Sequence, residues 1–184
     1  MINKLEAILS APRKSVSLTN MVVDGNFPNR DNWIDNGTYL TTSSNEAYFL
    51  ANSSSDRVYQ NKSVVAGRKY YACVWIKATS GANVVMGAAD GFGTSANTSY
   101  TGAGLYQFLS CILTSANTTA AGYINAIRDE RNSGWDVVNA KYASFIDLTT
   151  AFGAGNEPNK QTMDNIMEQW TDKWLNGTQT AYYY

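Results

Sequence analysis

The chain contains no histidine among its 184 residues. That removes the commonest general base near neutral pH, the Ser-His and Cys-His nucleophile pairs, and the commonest metal ligand. Only carboxylate and lysine chemistry stay open. Charge is scarce too, at 16% of residues, and the formal net charge is −1. A broad electrostatic attraction to nucleic acid or anionic membrane is excluded on that ground. No run approaches the roughly 20 apolar residues of a membrane-spanning helix. Met1 to Glu6 lack the apolar core and cleavage site of a signal peptide, so the expectation is synthesis in a cytoplasm or release by lysis. The Asn-x-Ser/Thr triplets at Asn36, Asn52, Asn61, Asn97, Asn117 and Asn176 then read as a by-product of composition. Cysteine is limited to Cys73 and Cys111, both in apolar, strand-like runs. They read as two buried thiols, with a disulfide left open, and two cysteines alone make no zinc site.

The place of charge is taken by Asn, Ser and Thr, alongside 44% hydrophobic residues. That mixture suits many short strands joined by turns better than a helical bundle. Apolar and alternating runs appear at Met21–Val23, Tyr39–Thr41, Ala47–Leu50, Arg57–Val65, Lys69–Lys77, Val84–Met86, Leu105–Thr114, Ala121–Ile127 and Val137–Leu148. Turn residues separate them. Residues 87–104 read as one long Gly/Ser/Thr loop. The fold class expected is mainly β: an antiparallel β-sandwich of jelly-roll type. Helix signals lie only at the two ends, which excludes an alternating parallel α/β sheet.

At the N-terminal end, Ile2, Leu5, Ile8 and Leu9 form an apolar stripe and Pro12 stops it. A helix of about 11 residues is marginal alone in water, so this one is expected to pack on its own domain, a sister chain or another protein. Ser15–Asn20 reads as a polar linker. At the other end, Asn159 is a good N-cap for a helix over 159–175, with Met163, Ile166, Met167, Trp170 and Trp174 on one stripe. The last residues, Thr180 to Tyr184, are strand-prone, and three terminal tyrosines suggest a covering surface. The organisation read from these signals is an attachment or oligomerisation segment at 1–19, a sandwich at 20–158, and a helix and tail at 159–184.

Strand alternation over Lys69–Lys77 places Tyr70, Ala72, Val74 and Ile76 on one face and Tyr71, Cys73, Trp75 and Lys77 on the other. The first face is the better core. The second offers Tyr71 and Trp75 together, and rigid aromatic rings framed by polar groups are a carbohydrate platform. Trp33 and Trp135, on expected loops or strand starts, are further candidates for sugar contact. The glycine pairs Gly102/Gly104 and Gly153/Gly155 lack the context of a nucleotide site. Asp129, Glu130, Asp136, Asp147 and Glu157 are the only carboxylates worth weighing as a glycosidase pair, and the first two sit in what looks like a solvated turn.

Two segments carry a family likeness. Asn20-Met-Val-Val-Asp-Gly-Asn-Phe27, then Asn32-Trp33, then Val64-Val-Ala-Gly-Arg-Lys-Tyr-Tyr-Ala-Cys-Val-Trp-Ile-Lys-Ala78 resemble the opening of jelly-roll carbohydrate-binding modules of the galactose-binding-like type. Tyr142 to Leu148 look like the closing strand of that fold. Ile146-Asp-Leu-Thr-Thr-Ala-Phe-Gly-Ala-Gly-Asn-Glu-Pro158 is similar to a signature that follows such modules in phage and prophage tail and fibre proteins. The resemblance implies a virion structural and adhesion module, with other virion proteins and a host cell-surface glycan as partners. It also suggests a homotrimer, for which Ile2, Leu5, Ile8 and Leu9 offer a self-association surface. No cofactor is expected. Such modules often place an acidic residue after the first-strand Phe for a structural calcium; here Pro28-Asn29 follows Phe27, which argues against calcium despite Asp24 and Asp147. A ligand-free architectural role and a glycosidase accessory module are the alternatives, and no enzymatic activity is expected.

Overall fold

The computed structural model describes residues 13–36, 39–43, 45–51, 53, 56–89, 92, 98–129 and 136–184. The apolar stripe Ile2/Leu5/Ile8/Leu9, Trp135 and Glu130 lie outside the described residues. The strands run in chain order as β1 (Lys14–Thr19), β2 (Ile34–Asn36), β3 (Tyr39–Ser43), β4 (Glu46–Ala51), β5 (Arg57–Val64), β6 (Lys69–Ala78) and β7 (Asn83–Ala89). They continue with β8 (Thr98–Thr101), β9 (Gln107–Thr114), β10 (Thr119–Asp129), β11 (Asp136–Asp147) and β12 (Thr178–Tyr183). Two short helices, α1 (Leu148–Phe152) and α2 (Lys160–Met167), lie between β11 and β12.

Two antiparallel five-stranded sheets form the sandwich, one in the order β2-β5-β10-β7-β8 and the other β3-β4-β11-β6-β9. Val58, Val84, Met86 and Ile127 of the first sheet meet Phe49, Tyr70, Val74, Ile76 and Phe145 of the second in one buried cluster. The Ala/Val/Ile face of β6 is therefore core, as alternation predicts. Within the expected 87–104 loop, β8 forms an edge strand and Phe92 turns inward, edge-on to Tyr70 (5.6 Å) and Phe145 (5.9 Å).

The opening motif folds for local reasons. Asn20 is buried and acts as a clamp: its Oδ1 accepts from Val22 N (3.0 Å) and Phe145 N (2.9 Å), and its Nδ2 donates to Leu175 O (2.9 Å). It thus ties three distant parts of the chain together with groups that would be costly to bury unpaired. Gly25 presses on β11: a Cβ there would come 2.1 Å from Ala143 O. Phe27 and Trp33 stack at 4.3 Å, and Trp33 Nε1 donates to Asp24 O. Trp33 is 5% exposed. It is a core residue whose indole is satisfied internally, which corrects its assignment to sugar contact.

The chain ends differ from their sequence reading. Ser15–Asn20 is no linker: β1 pairs with β12 in an antiparallel ribbon, with Val16↔Ala181 and Leu18↔Gln179 in register. Alternation of buried Val16 and Leu18 with exposed Ser15, Ser17 and Thr19 is what a half-covered strand needs. The helix expected over 159–175 stops at Met167. Asn159 does cap it, accepting from Thr162 N at 2.9 Å. Beyond it the chain turns through Asp172 and Lys173, both with positive φ, so Trp174 leaves the helical stripe. The ribbon, α1 and α2 pack as a third layer on the outer face of the second sheet. Val16, Leu18, Met163, Ile166, Met167, Leu175 and Ala181 bury a second core there against Tyr71, Cys73 and Ile146.

Candidate functional site

The outer face of the second sheet is where the candidate residues fall. Register places Tyr71 beside Ile112 and Ile146, Cys73 beside Ser110 and Ser144, and Trp75 beside Phe108 and Lys141. The two ends of this row meet different fates. At the Tyr71 end the face is closed. Tyr71 is fully buried, and its phenol donates to Asp164 Oδ1 of α2 at 2.7 Å. Ser110 Oγ and Lys160 Nζ also donate to Asp164, each at 2.7 Å. Burial works to raise the Asp164 pKa, but the bonds from Lys160, Ser110 and Tyr71 outweigh it, and the net direction is down. Burial drives the Tyr71 phenol upward. Tyr71 is therefore a pillar of the second core and no part of an open platform. The pairing of Tyr71 with Trp75 in one sugar site is corrected accordingly.

Cys73 pairs in register with Ser110, and Cys111 with Ala72, so the two thiols lie on opposite faces of the sheet and form no disulfide. Burial pushes each to about 12, which keeps them protonated and unreactive near neutral pH.

At the Trp75 end the face emerges from its cover. Trp75 is half-buried, tilted against Phe108 with centroids 5.4 Å apart. Its Nε1 donates to Asp172 O at 2.6 Å, so the reversal after α2 fixes the indole plane. Around it stand Tyr106, Tyr142 and Trp174, all half-buried. The register of β11 against β6 slips between Lys141 and Ser144, and Tyr142 has φ 58°. This bulge brings two consecutive side chains to one surface. Tyr142 packs on Trp174 at 5.7 Å, while Lys141 Nζ lies 4.3 Å from the Tyr106 ring centroid. Lys77 Nζ approaches the same ring at 5.0 Å, and Lys173 Nζ the Phe108 ring at 4.9 Å. Asn139 Nδ2 donates to Glu46 Oε1 at 2.6 Å. Burial, and then the Glu46 carboxylate, push the Tyr106 phenol upward. A depression of about 250 Å³ lined by Lys77, Thr79, Gly104 and Asn139 adjoins this surface.

Such an arrangement offers apolar ring area edged by an amide, a carboxylate and ammonium groups. It can stack on the C–H face of a sugar and bond its hydroxyls. Trp75 alone among the four tryptophan and tyrosine candidates is placed there; Trp135 lies outside the described residues. Tyr106, Phe108, Tyr142, Trp174, Lys77 and Lys141 surround it.

Two of the carboxylates weighed for glycoside hydrolysis, Asp147 and Glu157, serve the fold. Asp147 caps α1, accepting from Thr150 N at 2.8 Å, and pairs with Arg68 at 2.8 Å. Glu157 accepts from Thr149 Oγ1 (2.8 Å) and Gly155 N (3.0 Å) and pairs with Lys69 at 3.5 Å. The Thr149 bond, foremost among these, lowers the Glu157 pKa. Asp136 is buried. The Ile146–Pro158 signature is thus a clasp: it turns the chain out of β11 and pins α1 to the start of β6. Asp24 accepts from Asn32 in the opening turn, and among the described residues no group of three or more Cys, Asp and Glu gathers into a metal-binding cluster.

Comparison with known proteins agrees with this architecture. No family model matches the chain, and no curated protein matches it by sequence. Among solved structures it is similar to a family 4 carbohydrate-binding module: 16% identity, TM-score 0.52, covering 63% of this chain and 94% of that one. It is similar to the N-terminal cellulose-binding domain of Cellulomonas fimi β-1,4-glucanase C, with 16% identity, TM-score 0.50, and 65% and 90% covered. A third is a family 61 module in complex with β-1,4-galactotriose, with 12% identity, TM-score 0.50, and 70% and 98% covered. The fold is that of a carbohydrate-binding module. These modules match nearly whole, while about a third of this chain falls outside the match.

Proposed function

We propose that this chain is a structural and adhesion module of a phage particle that binds a glycan of the host surface through the Trp75 end of its outer face. The observation that carries the glycan reading is the half-buried cluster of Trp75, Phe108, Tyr106 and Tyr142, with the Trp75 indole bonded to Asp172 O and Tyr142 brought to the surface by the bulge in β11, edged by Asn139, Glu46 and Lys77. Rigid rings bind with little loss of conformational entropy, which suits weak, repeated sugar contacts. The modules of like fold, one of them holding a galactotriose, support the reading. Its assignment to a virion rests on the Ile146–Pro158 segment and its likeness to phage tail and fibre proteins. On this reading the protein is made in the host cytoplasm and carried in the virion beside other virion proteins. It acts without catalysis and associates as a trimer through Ile2, Leu5, Ile8 and Leu9.

A glycan array together with adsorption to host cells tests this, on wild type and on Trp75→Ala, with thermal melting alongside. Wild type is expected to bind, and folded Trp75→Ala to lose roughly tenfold or more in affinity, since one well-placed aromatic contact is worth about 1–2 kcal/mol. Absence of any glycan binding by wild type would leave the architectural, ligand-free role.

A further inference from the structure

Three lysines enter the ring cluster, and two of them are answered by carboxylates. Lys77 stands 4.0 Å from Glu46 and Lys173 stands 3.1 Å from Glu168. Lys141 is different. Its ammonium lies 4.3 Å from the Tyr106 ring centroid and 5.3 Å from that of Tyr142, and among the described residues it pairs with no carboxylate. The Glu46 carboxylate close by is otherwise engaged, accepting from Asn139 and facing Lys77. Ring faces attract a cation but accept none of its three N–H bonds in the manner of an oxyanion. Half withdrawn from water and set between two rings, Lys141 therefore keeps donors for an anion that arrives with a ligand. A neutral sugar platform has no need of an uncompensated charge there. We infer that the ligand is an anionic saccharide, a sugar stacked on the Trp75/Tyr106 surface with its carboxylate or sulfate on Lys141. This inference rests on the glycan reading above and narrows it to a chemical class.

The test uses the full chain and four polymers in two pairs: polygalacturonate against its carboxyl-reduced form, and dextran sulfate against dextran. Lys141→Met removes the charge and keeps the stem, while Lys141→Arg restores a cation. Wild type is expected to bind one of the anionic polymers roughly tenfold or more tightly than its neutral counterpart, the worth of one charge-assisted hydrogen bond. Lys141→Met should erase that margin while lowering the melting temperature by no more than a few degrees, and Lys141→Arg should recover most of it. The pair that responds identifies the anion as carboxylate or sulfate. Equal binding of charged and neutral polymers, or a margin untouched in Lys141→Met, overturns the anionic class and leaves the glycan reading standing. No binding to any of the four polymers, with the glycan array also blank, overturns the glycan reading itself.

Discussion

Tyr71 and Trp75 project from the same face of the same strand, four positions apart, yet one is a core residue and the other a surface one. The difference comes from what the chain lays over each. Tyr71 lies under α2, whose Met163, Ile166 and Met167 complete the second core and whose Asp164 accepts the Tyr71 phenol. Trp75 lies under the reversal after α2, where the Asp172 carbonyl accepts its indole N–H. A regular helix can bury a face; a turn with two positive-φ residues covers only an edge. The third layer thus both supplies stability and, by where it stops, leaves the proposed binding surface open.

That contrast can be broken at graded cost. Tyr71→Ala removes a buried ring and one of three bonds to Asp164, so it is expected to cost about 3–5 kcal/mol. Urea unfolding measures it; a loss under 1 kcal/mol would mean that the third layer does not depend on Tyr71. Tyr71→Phe separates the ring from its hydroxyl. With the Ser110 and Lys160 bonds still in place, it should lose about 1–2 kcal/mol, measured in the same way.

Acid should act on the same end of the face. The Asp164 pKa is lowered in the folded state from an ordinary 3.8. A depressed carboxylate contributes stability above its unfolded pKa, and that contribution fades as pH falls through the folded one. Wild type should therefore lose stability below about pH 4 more steeply than Asp164→Asn. Parallel melting curves between pH 2 and 6 check this, and identical slopes would contradict it. The smallest stability effect is expected at the open end. Lys141→Met gives up two exposed-edge cation–π contacts, at most about 1 kcal/mol. A larger loss in its melting curve would recast Lys141 as a structural residue.

Much of the sandwich was legible because its strands alternate and turn residues punctuate them. Lys69–Ala78 carried more information than alternation extracts. Nearly every residue from Tyr70 to Ile76 is apolar, the mark of a strand covered on both faces, and that run already pointed to a second core over Tyr71. The cover itself was hidden. β1 looks like a linker because three of its six positions are Ser or Thr, although Val16 and Leu18 alternate with them. The stop after Met167 has no glycine or proline to announce it; the chain reverses because Trp174 finds Tyr142 and Leu175 enters the core. Tyr142 was unreadable for another reason. A bulge shifts the parity of β11, and alternation counted from Val137 puts it on the wrong side.

The most direct test of the account compares the two ends of the face in a single assay. Affinity electrophoresis through gels containing acidic or neutral polysaccharide, run with melting curves, would follow wild type, Trp75→Ala and Tyr71→Phe. Wild type and Tyr71→Phe should be retarded alike, while Trp75→Ala, still folded, should migrate as though no polymer were present. Equal retardation of Trp75→Ala, or retardation lost in Tyr71→Phe but kept in Trp75→Ala, would contradict the account.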